Sequence, residues 1–215
     1  MYIPSHFAES EPAALHAVIR AHPLGALVVV ADHGLDSVHV PFLVDPEPAP
    51  LGTLRCHVAR ANPIWRALGD GRDALVLFRG PSAYITPSWY ATKRATGKVV
   101  PTYNYVAVQA KGTARAVEDA GWLHALVTRL TEGFERERAA PWHVADAPAD
   151  YVAATLKAIV GIEMPIASLV GTFKVSQNRG AADRAGVHDG LVERAQESDL
   201  DVAALVQARA PDAGA

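Results

Sequence analysis

The feature that most constrains this chain is a series of strand-like segments that do not alternate with helices one for one. These segments are rich in β-branched and aromatic residues, and turn residues separate them. They cover residues 24–31, 36–45, 51–58, 73–80, 105–117 and 159–174. A doubly wound parallel sheet needs a helix after each strand, so the order predicts an antiparallel sheet. The expected fold class is mainly β with appended α-helices (α+β), in the form of an antiparallel barrel.

Helical periodicity is confined to the start of the chain and to its second half. Apolar residues recur at helical spacing over 11–22, 119–137, 150–158, 181–187 and 198–208, and Asn62 is placed to cap a further short helix. No shift in composition marks a domain boundary. We therefore expect a single domain over residues 1–197, followed by a C-terminal helix and a frayed tail over 198–215.

The charge of the chain gives no general attraction to polyanions. Its 20 Lys and Arg against 23 Asp and Glu leave a formal net charge of −3, so DNA is a possible partner that the sequence does not support. The longest apolar run, 26–31, is far shorter than the ~20 residues of a membrane helix. Residues 1–11 do not resemble a secretory signal. The expectation is a cytoplasmic protein with no membrane partner.

Neither a metal site nor a catalytic residue is evident. The nine histidines include no pair at the i, i+4 spacing of a helical zinc site, and Cys56 is the single cysteine. Cys56 is expected to point into the barrel core. Whether the protein is an enzyme is left open by these patterns.

Pro41 interrupts the second strand-like segment. Val40 and Phe42 are expected on one face of that strand, with His39 and Pro41 on the other. A proline cannot donate to a strand ladder. Pro41 therefore marks an edge, a bulge, or a place where a ligand replaces the partner strand.

A strand-to-helix junction over 57–65 is the first of three clusters that could bind a ligand. His57 and Arg60 stand beside the capped helix start at Asn62, and a guanidinium with free backbone N–H groups can hold an anion. The alternative is an ordinary strand-to-helix connection.

The second cluster covers 80–90 and 100–105 and concentrates aromatic, hydroxyl and amide side chains around a long polar loop. Such a surface suits a flat ring ligand, and equally suits packing at a subunit interface. The third cluster, 174–179, follows the last strand. It is either a polar anchor for a ligand or a solvated turn.

Together these segments resemble the PaiB family of FMN-binding negative transcriptional regulators. The resemblance covers about residues 1–195, and Tyr103 stands where that family usually has tryptophan. The segments that carry it are MYIPSHF at 1–7, HVARANPIW at 57–65, YITPSWY at 84–90, VPTYNY at 100–105 and KVSQN at 174–178.

The resemblance implies an FMN-binding split β-barrel that forms a homodimer, with FMN at the subunit interface. His57 and Arg60 would then serve the phosphate, with Arg60 as its main anchor. The remaining implied cofactor-binding residues are His39, Pro41 and Phe42 along the isoalloxazine, Tyr103, Asn104 and Gln109 from the second subunit, and Lys174, Ser176, Gln177 and Asn178 closing the site.

Three functions follow from this resemblance. The family suggests a negative transcriptional regulator, although the sequence contains no helix-turn-helix motif. The fold also suits an FMN-dependent oxidoreductase that acts on a small molecule with NAD(P)H, because flavin brings its own hydride chemistry. A haem-binding split barrel, with a histidine as axial ligand, is the third possibility.

Overall fold

The computed structural model describes residues 2–210, so most of the expected tail, 211–215, lies outside the described residues. Eight strands and seven α-helices alternate irregularly along this part of the chain. In chain order they are β1 (Ala8–Glu9), α1 (Pro12–Ala21), β2 (Leu24–Ala31), β3 (Gly34–Pro41), β4 (Leu43–Asp45), β5 (Thr53–Ala59), α2 (Ile64–Leu68), β6 (Arg72–Ile85), α3 (Ala91–Thr96), β7 (Thr102–Val117), α4 (Ala120–Glu135), α5 (Ala149–Lys157), β8 (Ile159–Lys174), α6 (Ala181–Arg194) and α7 (Asp199–Ala208).

The strands form one sheet whose order is β3-β2-β6-β7-β8-β5-β4, with β1 paired to β8. The pairs β2–β3, β2–β6, β4–β5, β5–β8 and β1–β8 are all antiparallel. The predicted antiparallel α+β class is confirmed. The hydrogen-bonded path of the described strands ends at β3 and β4, so the sheet is not a closed barrel.

The strands differ from the predicted segments in two places. The segment 36–45 is divided into β3 and β4 at Phe42, where the Phe42 N–H donates to the Pro23 carbonyl at 2.8 Å. The segment 73–80 continues through Gly80 and Pro81 as one strand to Ile85. At Gly80 this strand passes so close to β7 that a Cβ would lie 3.0 Å from Val106 Cβ, and the absence of a side chain at Gly80 allows the close approach.

The described chain divides into two compact units. The first unit lies within residues 1–10, 79–108 and 170–215, and the second consists of 11–78 and 109–169. The chain passes from one to the other inside β6, β7 and β8. The proposed boundary at residue 197 stays a prediction. No helix in the described part of the chain is both long and apolar enough to cross a membrane.

The core of the second unit includes the inward faces of β5 and β8. Leu54, Cys56 and Val58 alternate with outward residues on β5, and their partners on β8 are Met164, Ile162 and Val160. All six are buried. The core position expected for Cys56 is confirmed, and burial raises the pKa of its thiol, so it is not activated as a nucleophile.

An ion-pair network crosses the other face of the same strands. Arg55 on β5 donates to Asp45 on β4 at 2.5 Å and to Glu163 on β8 at 2.9 Å. Arg115 on β7 also reaches Glu163, at 2.6 Å, and Arg129 on α4 reaches Asp45 at 3.0 Å. Burial alone would raise the pKa of both carboxyl groups, but the arginines more than offset it and hold each pKa below its ordinary value.

This network predicts a loss of stability in acid. Because folding lowers the pKa of Asp45 and Glu163, their contribution is complete above about pH 5 and disappears as the pH falls through their folded-state pKa values. At neutral pH, Glu163→Gln should lower the free energy of unfolding by about 1–3 kcal/mol. That loss should shrink as the pH falls. Urea unfolding at neutral pH and at about pH 3 measures both effects.

Glu132→Gln is the control for this comparison. Glu132 is exposed on α4 and forms no ion pair with the residues that the structure describes. Its replacement should change the stability by less than about 0.5 kcal/mol at either pH. A Glu163→Gln variant that unfolds like this control at neutral pH would contradict the stabilising role of the network.

The first unit has its own core. Its buried residues come from β6, the segments that follow β6 and β8, and the helices α6 and α7, and they are Ala83, Ile85, Tyr90, Val175, Val187, Leu191, Val202, Ala203 and Val206. Trp89 packs against α6 where two glycines make room. A Cβ at Gly186 would lie 2.0 Å from the Trp89 carbonyl oxygen, and one at Gly190 would lie 2.3 Å from its indole.

Candidate functional site

The residues expected to bind the cofactor fall into both units, and each group is described by itself. The second unit contains His39, Pro41, Phe42, His57, Arg60 and Gln109. The first unit contains Tyr103, Asn104, Lys174, Ser176, Gln177 and Asn178. Their roles in cofactor binding stay predictions.

The residues expected along the isoalloxazine stand at the end of β3, the strand at one end of the sheet path. His39 pairs with Ala26 and Pro41 with Leu24 of β2, and His39 is exposed. Phe42 is only 4% exposed and packs edge-on against Phe78, with ring centroids 5.5 Å apart. Of the three, His39 is open to a ligand, whereas Phe42 is a core residue of this unit.

His57 lies on the face of β5 opposite to the core. Its partner on β8 is Gly161, and a Cβ at Gly161 would lie 2.2 Å from the Trp122 ring of α4. The imidazole Nδ1 is buried with no hydrogen-bond partner among the described residues. Burial lowers the pKa of His57, so at neutral pH the ring carries no charge to offer a phosphate.

Arg60 makes several contacts within the second unit. Its guanidinium donates to the carbonyls of Lys157 at 2.7 Å and Ile159 at 3.1 Å, and it pairs with the Glu118 carboxylate. Its backbone N–H donates to Ala158 at 2.8 Å. These contacts tie the end of β5 to the connection between α5 and β8. They give Arg60 a bracing role and a neutralising partner that the sequence pattern did not reveal.

The helix that follows Arg60 is a single short one. Asn62 Oδ1 accepts from the Ile64 N–H at 3.0 Å, and α2 then extends only from Ile64 to Leu68. Asn62 thus stabilises the turn that leads into the helix, whereas the N-cap position of α2 is Pro63 and not Asn62 as expected. The Arg60 carbonyl also accepts from the Trp65 indole N–H at 3.0 Å, so the junction is braced from both sides.

In the first unit, three of the expected residues fix the loop after β8. The Asn104 amide donates to the Ser176 hydroxyl at 2.9 Å, and both side chains are buried. Ser176 has a φ of 69°, a left-handed conformation that the surrounding contacts must hold. Gln177 accepts from the Val175 N–H at 2.8 Å and donates to the Phe173 carbonyl. These side chains position the loop, and their main polar groups are engaged in doing so.

Lys174 and Asn178 are the members of that loop with capacity left for a ligand. The Lys174 ammonium donates to the Thr102 hydroxyl at 2.6 Å and lies 6.0 Å from the centre of the Tyr105 ring. Burial, and then the charge of Arg179, lower the pKa of Lys174. Asn178 is exposed and makes no side-chain hydrogen bond with the described residues.

The outward face of β7 alternates as the sequence predicts. Tyr103 is 56% exposed and meets Tyr84 edge-on at 5.9 Å. Gln109 is half-buried on the same face, and its amide makes no hydrogen bond within residues 2–210. It belongs to the second unit, whereas Tyr103 belongs to the first.

Sequence reasoning missed a cavity of about 470 Å³ in the first unit. Tyr84 and Tyr103 line it together with Arg79, Ser82 and Arg194. Arg194 is held by both oxygens of Asp199, at 2.6 Å each. Arg194 and Asp199 are only five residues apart, so their ion pair was the one feature of this cavity that the sequence could have indicated. Nothing in the local sequence linked it to the tyrosines on β6 and β7.

The donors that remain open suit a flavin. In the first unit, the Asn178 amide matches the polar edge of the isoalloxazine, the Tyr103 ring offers a flat surface, and Lys174 offers a cation to a phosphate. The described residues contain no group of three His, Cys, Asp or Glu side chains placed to hold a metal ion.

Comparisons with known proteins agree with this chemistry. A family model described as "Putative FMN-binding domain" matches residues 1–168. An uncharacterised protein of Aspergillus fumigatus is 35% identical over 97% of each chain. The protease synthase and sporulation protein PAI 2 of Bacillus subtilis is 28% identical over 96% of this chain and 97% of its own length.

Solved structures show the same fold. The FAD and haem binding protein of Mycobacterium smegmatis aligns with a TM-score of 0.58 and 16% identity, over 78% of this chain and 73% of that one. The flavocytochrome Anf3 of Azotobacter vinelandii aligns with a TM-score of 0.58 and 15% identity, over 86% and 78%. At these identities the comparison concerns the fold alone.

The contacts of Arg60 lead to a testable expectation that differs from the role of main phosphate anchor. Arg60→Ala should lower the free energy of unfolding by about 1–2 kcal/mol, because two carbonyls and a carboxylate lose a donor. The affinities for FMN and riboflavin should fall by the same small factor. Urea unfolding and flavin fluorescence titrations measure these quantities.

Arg66→Ala is the matched control, because Arg66 lies on the neighbouring α2 and its guanidinium, 5.1 Å from the centre of the Trp65 ring, makes no hydrogen bond or ion pair within residues 2–210. It should destabilise the protein less than Arg60→Ala. A selective loss of FMN affinity in Arg60→Ala, with riboflavin unchanged, would restore Arg60 as the phosphate anchor.

Proposed function

The chain belongs to the FMN-binding domain family that its first 168 residues match, and from that premise we propose that it works as a homodimeric FMN-binding protein of the PaiB type. The resemblance to that family in the sequence is confirmed by this match and by the Bacillus relative. The sheet is that of split-barrel flavoproteins. FMN is the cofactor of this family.

The observation that carries the proposal is the donor set around β7 and the loop after β8. Asn178 and Lys174 present an amide and a cation without a carboxylate partner in the described chain, and Tyr103 of the same unit presents an exposed ring. These groups support an anionic flavin. Titration of the purified protein with FMN should give saturable quenching of flavin fluorescence at one FMN per chain. Absence of saturable binding would overturn the proposal.

An apolar sheet face in the second unit supports the homodimer. The outward residues of β2 are Leu24, Ala26, Val28 and Val30, and the neighbouring strand β6 adds Leu75 and Leu77. Leu24 is 63%, Val30 56% and Leu77 37% exposed. The outward face of an antiparallel sheet is normally polar, and a contiguous exposed apolar patch marks an interaction site. A second copy of the chain is the occupant that the family suggests.

The homodimer predicts a mass of twice the 22.8 kDa chain in light scattering after gel filtration. A Val28→Lys, Leu77→Asp variant should elute as a monomer, because it places charges in the apolar face. The control is Leu200→Asp, since Leu200 is 55% exposed on α7 of the first unit. It should leave the dimer intact. A wild-type protein that is monomeric while binding FMN stoichiometrically would refute the shared-site dimer.

Negative transcriptional regulation is the more specific role that the proposed PaiB-type function includes. The helices α6 and α7 are joined by a short turn, but residues 181–208 carry six acidic and two basic residues. An acidic helix pair is repelled by DNA phosphates. We expect DNA binding to be weak and strongly dependent on salt. Gel-shift binding that persists at high salt with a clear sequence preference would contradict this expectation.

The cavity in the first unit favours a second candidate function, an FMN-dependent oxidoreductase. Its two tyrosine rings and the guanidinium of Arg79 suit a small molecule with a flat ring and an anionic group. Bound flavin would supply the hydride chemistry. Oxidation of NADH or NADPH by the FMN-loaded protein, absent without flavin, would support this function. A rate equal to that of free FMN would exclude it.

Haem binding is the third candidate, because two of the similar solved structures are those of an FAD and haem binding protein and of a flavocytochrome. The unpartnered Nδ1 of His57 is the feature of this chain that suits an axial ligand. Haem titration monitored at the Soret band tests it, with His57→Ala as the variant. A Soret shift that is identical in both proteins would remove His57 from this role.

A further inference from the structure

The cavity of about 470 Å³ in the first unit carries one charge of each sign that is open to a ligand. Arg79 on β6 and Glu197 in the turn between α6 and α7 both line it. Both residues are exposed, and neither forms an ion pair with any residue between 2 and 210. Because they share one cavity and do not pair with each other, their charged groups are too far apart to form a direct ion pair.

The other two charges of the cavity are paired within the chain. Arg194 donates to the two carboxylate oxygens of Asp199, at 2.6 Å each, and to the Tyr84 carbonyl at 3.1 Å. The hydrogen bonds between Arg194 and Asp199 raise the pKa of the guanidinium and lower the pKa of the carboxyl group. This pair is therefore a fixed part of the cavity wall, and Arg79 and Glu197 carry the charges that are left for a ligand.

The turn that carries Glu197 is formed before any ligand binds. Ala195 has a φ of 47° and Glu197 a φ of 38°, left-handed conformations that are uncommon for residues other than glycine. The Asp199 carboxylate accepts from the Gln196 N–H at 3.0 Å, and the Asp199 N–H donates to the Gln196 carbonyl at 2.8 Å. Strained backbone of this kind persists where the surrounding structure holds it. These contacts keep the backbone of Glu197 at the cavity.

Two tyrosine rings give the same cavity its flat surface. Tyr84 on β6 is 42% exposed and Tyr103 on β7 is 56% exposed, and the rings meet edge-on with centroids 5.9 Å apart. Neither hydroxyl forms a hydrogen bond with the described residues. A third aromatic ring can pack against such a pair in the same edge-on or offset geometry, and the faces of both rings attract an ammonium group.

Arg79 is positioned to bind a carboxylate. One of its terminal nitrogens donates to the Ser82 hydroxyl at 2.6 Å, which leaves the rest of the guanidinium free to donate. A guanidinium binds a carboxylate through parallel hydrogen bonds, and a carboxylate such as that of Glu197 accepts from an ammonium. A ligand with an anion alone would remove water from Glu197 without replacing its hydrogen bonds, and a ligand with a cation alone would do the same to Arg79.

We propose that this cavity binds a zwitterion of the class of an aromatic α-amino acid, with its carboxylate on Arg79, its ammonium on Glu197 and its ring against Tyr84 and Tyr103. The proposal deepens the second candidate function, because it names the class of small molecule that the cavity takes. It rests on that candidate function only for the role of the bound molecule as a substrate. The binding itself requires neither flavin nor NAD(P)H.

Calorimetric titration of the flavin-free protein with three matched probes tests the ligand class. L-Phenylalanine carries both charges, 3-phenylpropanoate lacks the ammonium, and 2-phenylethylamine lacks the carboxylate. L-Phenylalanine should bind with saturation. Each analogue should bind about ten- to a hundredfold more weakly, the effect of losing one charge-assisted hydrogen bond. Equal affinities for the three probes would overturn the proposal, and so would the absence of saturable binding of L-phenylalanine, L-tyrosine and L-tryptophan.

Two variants identify which residue binds which charge. Arg79→Gln should weaken the binding of L-phenylalanine to the level of 2-phenylethylamine and leave the affinity for 2-phenylethylamine unchanged. Glu197→Gln should weaken the binding of L-phenylalanine to the level of 3-phenylpropanoate without weakening the binding of 3-phenylpropanoate. The controls are Arg94→Gln and Glu193→Gln, which remove exposed charges from α3 and α6 of the same unit and should change no affinity. Circular dichroism establishes that each variant is folded.

The remaining outcomes separate this site from the flavin and from the candidate activity. L-Phenylalanine should bind equally well to the protein saturated with FMN, and its displacement by FMN would assign the cavity to the flavin and overturn the proposal. Affinities that Arg79→Gln and Glu197→Gln leave unchanged would place the amino acid elsewhere and also overturn it. If L-phenylalanine binds as proposed but the FMN-loaded protein oxidises neither NADH nor NADPH in its presence, the site is supported and the oxidoreductase candidate fails.

Discussion

The alternation of side chains along β7 is the constraint on which the rest of the structure depends. Residues such as Val106, Val108 and Ala110 point inward and are fully buried, while Tyr103 and Gln109 point outward. A slip of one residue would exchange the two sets. Gly112 fixes this register in the second unit, because any larger residue would place its Cβ 2.1 Å from the Pro165 carbonyl oxygen. The same alternation therefore sets both the buried and the exposed residues of β7.

The antiparallel class could be predicted from sequence because it depends on the order and spacing of strand-like segments, a local property. The core position of Cys56 and the two faces of β7 followed from period-two alternation for the same reason. The extent of α6 could not be predicted in this way. Residues 188–194 contain Gly190 and were not assigned to the helix, yet Gly186 and Gly190 are present because Trp89 packs against them. That contact joins residues about a hundred positions apart, which no local pattern reveals.

The candidate site stays a prediction, and its chemistry depends on which charges are already paired within the chain. Arg60 and Arg179 look alike in sequence, each following a strand and preceding a helix. Arg60 pairs with Glu118, 58 residues away, and donates to two backbone carbonyls, so its guanidinium is engaged in contacts within the fold. Arg179 lies over the Tyr90 ring and forms no ion pair with the described residues. A sequence motif does not show which arginine has such long-range partners, and these partners decide how much of its charge is left for a ligand.

The two units also differ in where their charges are paired and where their backbone is strained. The second unit joins β4, β5, β7, β8 and α4 through paired charges around Arg55. The first unit holds Lys174 and Arg179, which form no ion pair in the described chain, and the three non-glycine residues of positive φ among the described residues, Ser176, Ala195 and Glu197. Strain and unbalanced charge persist where something else offsets their cost. Since a ligand that binds only the folded state stabilises it, any ligand that bound the first unit would offset part of that cost.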